Sequence, residues 1–280
     1  MSAADAGRLH GWPHYGLILS GNCSPSYNMA FDEDLARTVI EGKLPPTLRI
    51  YGWDRTSLTL GRFQQKLDRV NISFLRQRAI PVVRRPTGGR AILHGEDITY
   101  SFCSRYDGLF KGKGLRQCYE LISLAIMKAL DMSGIYSYME RAAYDASRCG
   151  SPHCFQSVSY AELTVNGRKI VGSAQRRWPE GFLQQGSIPV RIGQELNAGV
   201  FEDFEPGKMI SLTDVVPEFD KSGFIINLKR GFETVLDAPL EEIYVPAEGS
   251  AGLTREFDRA WHLPGYPSAE SLQKYQPLSF

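Results

Sequence analysis

An α+β fold with mixed, largely antiparallel sheets and flanking helices is what this sequence predicts, for three reasons. Segments with helical and strand periodicity alternate irregularly along the chain, unlike the strict alternation of a doubly wound sheet. Asn166-Gly167 joins two strand-like runs, and because both residues tolerate positive φ this pair is a strong signal for a tight antiparallel hairpin. Finally, 42% apolar residues in a chain of 280 suffice for a large buried core. We expect a main domain over residues 1–195 and a small, helical C-terminal accessory segment over 196–280.

The elements follow in order. Ser26 to Gly42 carries Met29, Ala30, Leu35, Val39 and Ile40 near helical spacing between a polar cap and a glycine stop. Thr47–Trp53 and Ser57–Gly61 read as short strands around the polar turn Asp54-Arg55-Thr56, and a second helix is expected over much of Gln65–Arg78. Pro81–Arg85 is a strand entering a glycine turn, and Asp97–Phe102 a strand leaving it. Leu115–Met132 is the clearest helix, with Gly134 just beyond it. Ala143–Gln156 is small, polar and irregular, which suits a loop. Val158–Val165, Arg168–Gln175 and Leu183–Val190 are strand-like, and Pro206-Gly207, Pro217 and Pro246 break up the helical remainder.

Bulk chemistry narrows the function classes. With 32 basic against 31 acidic residues the net charge is +1, so no global field draws the chain to nucleic acid or an anionic membrane. No apolar run approaches the ~18 residues of a membrane span, and the first residues lack a secretory apolar core. A cytoplasmic protein is expected. The five cysteines, Cys23, Cys103, Cys118, Cys149 and Cys154, are scattered and odd in number, which suits reduced thiols. Neither they nor the histidines fall at metal-binding spacing, and His153 beside Cys154 lacks further ligands. No metal is expected.

Two segments carry candidate chemistry. Gly88-Gly89 can turn sharply and expose amide groups, with Arg84, Arg85, Thr87, Arg90 and His94 around it. A carboxylate, a phosphate or a developing oxyanion suits such a turn, whereas the plain alternative is a β-turn with solvated arginines. The second segment pairs a thiol, Cys154, with Lys169, which is followed by the small residues Gly172, Ser173 and Ala174. An ammonium near a sulfur favours the thiolate and can stabilise charge on an acyl oxygen. Cys149 is the rival nucleophile, and His94 suits a site role and a structural hydrogen bond equally.

At these residues the chain resembles the lipoate-protein ligase and octanoyltransferase superfamily, which shares a core with biotin protein ligases. The resemblance rests on an ordered series: Asn28-Met29-Ala30-Phe31-Asp32-Glu33, Leu48 to Trp53, Arg84 to Ala91, His94, Thr99-Tyr100-Ser101, and Gly167 to Gln175. Arg90 stands where the ligases more often have a third glycine, and Cys154-Phe155 precedes the lysine hairpin, as in the cysteine-dependent octanoyltransferases. The resemblance implies a biotin/lipoate ligase-like catalytic domain over residues 1–195. It implies that Cys154 takes an octanoyl group from acyl carrier protein as a thioester while Lys169 orients the carbonyl. The acceptor is then a lysine on a lipoyl domain, of glycine cleavage H protein or of a 2-oxoacid dehydrogenase E2. By the same likeness Arg85, Thr87, Gly88, Gly89, His94, Gly172, Ser173 and Ala174 bind the acyl substrate, no cofactor is needed, and a monomer suffices. Alternatives are an ATP-dependent lipoate ligase working through an acyl-adenylate, an amidotransferase between lipoyl domains, and a non-catalytic acyl-binding protein. Arg148, Arg168, Arg176 and Arg177 form a candidate docking patch for the acidic carrier.

Overall fold

The structure, a computed structural model, describes residues 12–67, 69–140, 161–245, 248, 267 and 269–279. Its main layer is a six-stranded mixed sheet in the order β10-β11-β6-β2-β1-β12. The strands are β1 (Tyr15–Cys23), β2 (Thr47–Trp53), β6 (Asp97–Arg105), β10 (Gly172–Arg177), β11 (Gly181–Pro189) and β12 (Leu240–Glu242). Pairing is antiparallel from β10 through β2 and parallel from β2 to β12. A second sheet, β4-β3-β5, holds β3 (Ser57–Leu60), β4 (Val82–Arg84) and β5 (Ile92–His94), and a third, β7-β8-β9, holds β7 (Tyr138–Met139), β8 (Leu163–Val165) and β9 (Arg168–Lys169). The α+β architecture expected from the sequence is the one found.

Strand alternation assigns the helices to opposite faces of the main sheet. Leu17, Phe102 and Phe182 point into a core built with α3 (Leu115–Met132) and α6 (Lys221–Leu236), while their neighbours Ile18, Cys103 and Leu183 pack under α1 (Pro25–Ile40). The α1 helix starts at Pro25 behind the cap Ser24, whose hydroxyl accepts from the Tyr27 amide. The α3 and α6 helices meet closely because Gly231 offers no side chain, and a Cβ there would strike the Ala125 carbonyl and the Ala129 amide.

Several local expectations change. The helix expected within Gln65–Arg78 is only α2 (Ile72–Gln77), because Arg69 takes a positive φ of 66° and Val70 bridges to Phe201 before Asn71 caps the first turn. The β1 strand carried no clear signal, since Gly21 adopts positive φ and the pairing with β2 shifts register between Leu19 and Gly21. The Asn166-Gly167 hairpin forms as expected, with φ of 51° and 71° and Thr164 opposite Lys169. The run Arg168–Gln175 is not one strand. It breaks at Ile170-Val171, so Lys169 lies in the small sheet and Gly172–Ala174 in the main one. The loop expected over Ala143–Gln156 and the start of the Val158–Val165 strand lie outside the described residues.

From Gln194 onward come α4 (Gln194–Val200), which straddles the expected boundary, α5 (Leu212–Val215), α6, β12 and α7 (Ala269–Lys274). These elements are mostly helical, yet they do not stand apart. Phe224, Leu228 and Phe232 of α6 share one core with Tyr100 and Phe102, β12 extends the main sheet beside β1, and Tyr275 after α7 donates to Glu33 of α1 at 2.5 Å. Gly231→Ala therefore should lower stability by about 1–3 kcal/mol in a urea titration through overpacking. That sign is opposite to the roughly 1 kcal/mol gain alanine brings an open helix.

Candidate active site

The site is assembled on a buried polar network. Arg49, on the central strand β2, is fully buried and donates to Asp32 Oδ1 at 2.8 Å, Asn28 Oδ1 at 2.7 Å and Ser20 Oγ at 2.8 Å. Asp32 also accepts from Ser101 at 2.7 Å, Tyr51 at 2.7 Å and Gln185 at 2.6 Å. The carboxamide oxygen of Gln185 in turn accepts from the Thr87 hydroxyl at 2.7 Å. One network of hydrogen bonds thus joins α1 and four strands to the glycine turn.

A second chain holds the other side of that turn. Arg85 is buried and donates to the carbonyls of Gly88 and Arg90, at 2.7 Å each from Nη2, and to Thr59 Oγ1 at 3.2 Å. Thr59 Oγ1 lies 3.0 Å from His94 Nε2, and His94 Nδ1 lies 2.9 Å from Asp97 Oδ2. Burial alone would raise the Asp97 carboxyl. The adjacent His94, with hydrogen bonds from His94, Ser187 and the Gly95 amide, outweighs that and holds it at about 2. An ionised Asp97 only accepts, so His94 Nδ1 carries a proton, and in the neutral ring Nε2 accepts from Thr59. The ring also stacks on Trp53 with centroids 4.0 Å apart.

The expected cation-rimmed turn is therefore braced more than it is open. Arg84 also turns inward, donating to the Gly61 and Gln64 carbonyls at 2.9 and 2.6 Å. Gly89 needs glycine for its φ of 87°, and Gly61 needs it because the Gly89 carbonyl sits where a Cβ would be.

A narrow slot of about 20 Å³ brings together Arg85, His94, Gly172 and Ala174 with Met29, Tyr51, Trp53 and Gln185. Thr87 reaches it through Gln185. Ser173 alternates to the other side of β10, where its hydroxyl meets Tyr100 at 2.7 Å. Gly88 and Gly89 shape the turn without lining the slot. Lys169 does not line it either. It is 1% exposed, and its Nζ contacts Glu162 Oε1 at 2.5 Å, the countercharge a buried ammonium requires. Its backbone pairs with Lys208 and Ile210.

Cys154, Cys149, His153 and Arg148 lie outside the described residues. The other three cysteines are buried, and burial pushes the thiols of Cys23, Cys103 and Cys118 up, away from thiolate. Of the expected docking patch, Arg176 is mostly buried, pairs with Glu33 at 2.9 Å and lies over Trp178, so it serves the interior. Arg177 is exposed and Arg168 half-buried. Among the described residues no helix is long and apolar enough to cross a membrane, and no three His, Cys, Asp or Glu residues gather as a metal site.

Asp32, Arg49, Gln185, Asp97 and Glu162 were not singled out for these roles by sequence reasoning. A charged residue amid the apolar spacing of α1, and another inside a strand buried at every position, were the available signals.

Comparisons with known proteins were consistent. Residues 24–225 match the lipoyl protein ligase A/B catalytic domain. An octanoyltransferase LipM of Geobacillus kaustophilus is 34% identical over 257 residues, 84% of this chain and 91% of that protein. One from Bacillus cereus is 39% identical over 248 residues, 82% and 88% of the two chains. Among solved structures, lipoate-protein ligase A bound with ATP superposes with a TM-score of 0.70 at 21% identity, covering 93% of this chain and 98% of that one. A bi-partite lipoate protein ligase of Thermoplasma acidophilum, studied with its E2 lipoyl domain, gives 0.68 at 19% identity, covering 94% and 97%. At such identities the likeness is one of fold.

Two outcomes test the networks. Arg49→Met should cost about 3–5 kcal/mol by denaturant unfolding, because it strands Asp32 as an uncompensated buried charge, and adding Asp32→Leu should recover part of that loss. Asp97 has a depressed folded-state pKa, so its stabilising contribution is complete above the ordinary 3.8 and is lost as pH falls through about 2. The stability gap between wild type and Asp97→Asn should therefore narrow steadily between pH 5 and pH 2.

Proposed function

The chain belongs to the lipoyl protein ligase A/B catalytic domain family, and from that membership we propose that it is an octanoyltransferase of protein lipoylation. The observation that carries this reading is the 34–39% identity to octanoyltransferases LipM over more than four fifths of the chain. In this reading the octanoyl group comes from acyl carrier protein, rests on Cys154 as a thioester, and passes to a lysine of a lipoyl domain.

The chemistry needs no ATP, because thioester exchange is nearly balanced and the final amide is more stable than either thioester. Cys154 as thiolate adds to the donor carbonyl, and the lysine amine of the acceptor then displaces it. The three buried thiols, pushed away from thiolate, are poor nucleophiles, which favours Cys154 with Cys149 as the rival. The family likeness gives Lys169 the task of orienting the acyl carbonyl, which from its buried pairing with Glu162 outside the slot lining it meets only as the slot opens. The slot walls of Met29, Tyr51, Trp53 and Ile92 suit an alkyl chain. At about 20 Å³ the slot holds one water-sized body, so octanoyl binding entails opening it. Arg85 and Thr87 hold the adjoining turn in shape.

Intact-protein mass spectrometry tests the reading. Wild type and Cys149→Ala, incubated with octanoyl-acyl carrier protein without ATP, should gain one hydroxylamine-labile octanoyl group that chases onto added lipoyl domain, and Cys154→Ala should gain none. Modification of the lipoyl domain only with free acid and ATP would replace this scheme with that of a ligase.

A further inference from the structure

A second cavity beside the slot takes no part in the scheme above. It is a cleft of about 260 Å³ that shares Trp53, Ile92, His94 and Ser187 with the slot. That volume approaches the low end of the ~300–1,000 Å³ typical of small-molecule pockets. Leu196, Phe201, Phe204 and Met209 form its apolar side. Met209 bridges to Lys169, so the cleft runs from the His94 wall toward the lysine strand. Arg55 and Arg191 also line it, with side chains 66% and 64% exposed, which sets them at its rim.

Among the described residues each rim arginine pairs with an exposed carboxylate, Arg55 with Asp54 at 3.2 Å and Arg191 with Glu96 at 3.3 Å. Exposed pairs of this kind contribute little in water, so an entering anion can displace them. A phosphate accepts from guanidinium groups in charge-assisted bonds that a neutral ligand lacks. The cleft thus has two exposed arginines at its rim and an apolar wall, and its lining also includes Glu96, Asp97 and Asn197.

We infer that this cleft receives the 4′-phosphopantetheine arm of the acyl donor, with its amide-bearing chain along the apolar wall and its phosphate at Arg55 and Arg191. The inference rests on the octanoyltransferase reading. A thioester donor leaves its carbonyl carbon in two directions, one alkyl and one through sulfur into a long arm. Two cavities sharing one wall accommodate both directions, the slot taking the alkyl chain and the cleft the arm. The transfer balances without a co-reactant. The Cys154 sulfur bonds to the carbonyl carbon, the bond from that carbon to the arm's sulfur breaks, and the departing arm takes the proton released by the Cys154 thiol.

Acylation kinetics of the full chain with three octanoyl thioesters, those of N-acetylcysteamine, pantetheine and 4′-phosphopantetheine, provide the test. In wild type the phosphorylated donor should have a kcat/KM about tenfold above that of the pantetheine donor, the scale of a charge-assisted phosphate contact. In Arg55→Ala/Arg191→Ala that ratio should fall toward one. A ratio that the double variant leaves unchanged overturns the assignment. So does competition against the phosphorylated donor by AMP but not by free 4′-phosphopantetheine, which would make the cleft a nucleotide site. Acylation by octanoyl-N-acetylcysteamine reports the thioester chemistry independently of the arm. If neither that donor nor octanoyl-acyl carrier protein acylates wild type, the octanoyltransferase reading itself fails and the cleft assignment falls with it.

Discussion

Arg49 enters the interior from the middle of the main sheet and meets Asp32 on the inner face of α1, with the side chains of both wholly buried. Its guanidinium lies over the rings of Phe31 and Tyr51, 4.3 and 4.0 Å from their centroids. Removing two charges from water is costly, and such a pair survives only when its remaining donors and acceptors are satisfied. Here they are, by Asn28, Ser20, Ser101, Tyr51 and Gln185. The contacts come from α1, β1, β2, β6 and β11. The pair therefore sets the position of the helix against the sheet with an angular precision that apolar packing alone does not impose, since hydrophobic contact is non-directional.

The glycine turn inherits that precision. Thr87 ties it to Asp32 through Gln185, and Arg85 ties it to His94 and Asp97 through Thr59. A loop with glycines at 88 and 89 has much conformational entropy to lose, and two buried networks supply the opposing contacts. Arginine side chains that in the sequence look ready for an anion spend N–H groups on backbone carbonyls, Arg85 on those of the turn itself and Arg84 on those of Gly61 and Gln64. Those bonds hold the shape of the turn, whereas Arg55 and Arg191 at the cleft rim are exposed.

Parts of this design were legible in the chain. The α3 helix declared itself through apolar residues on successive turns, and Asn166-Gly167 declared the β8–β9 hairpin, because both signals depend on contacts within a few residues. Of the residues that the motifs single out, the slot is lined by Arg85, His94, Gly172 and Ala174 and not by Thr87, Gly88, Gly89, Ser173 or Lys169. Other parts were hidden. Lys169, expected beside a thiol and an acyl carbonyl, is buried against Glu162, and no spacing rule announces a counterion across a hairpin. The helix expected within Gln65–Arg78 shrank to one and a half turns because Val70 bridges to Phe201, far along the chain. Arg176 reads as surface charge and instead pairs with Glu33 of α1.

What the sequence by itself determined was local: element types where periodicity or turn chemistry is strong, the α+β class, and an ordered set of motifs specific enough to point to a family. Only the tertiary structure decided which charges face inward, that Lys169 and Gly172–Ala174 belong to different sheets, and that α6 and β12 complete the main core. The reason is physical. Backbone preferences act over a few bonds and are readable in a short window, whereas the burial of a charge is tolerable only with partners. Those partners, Asp32 for Arg49 and Glu33 for Arg176, come from segments that only the folded chain brings together.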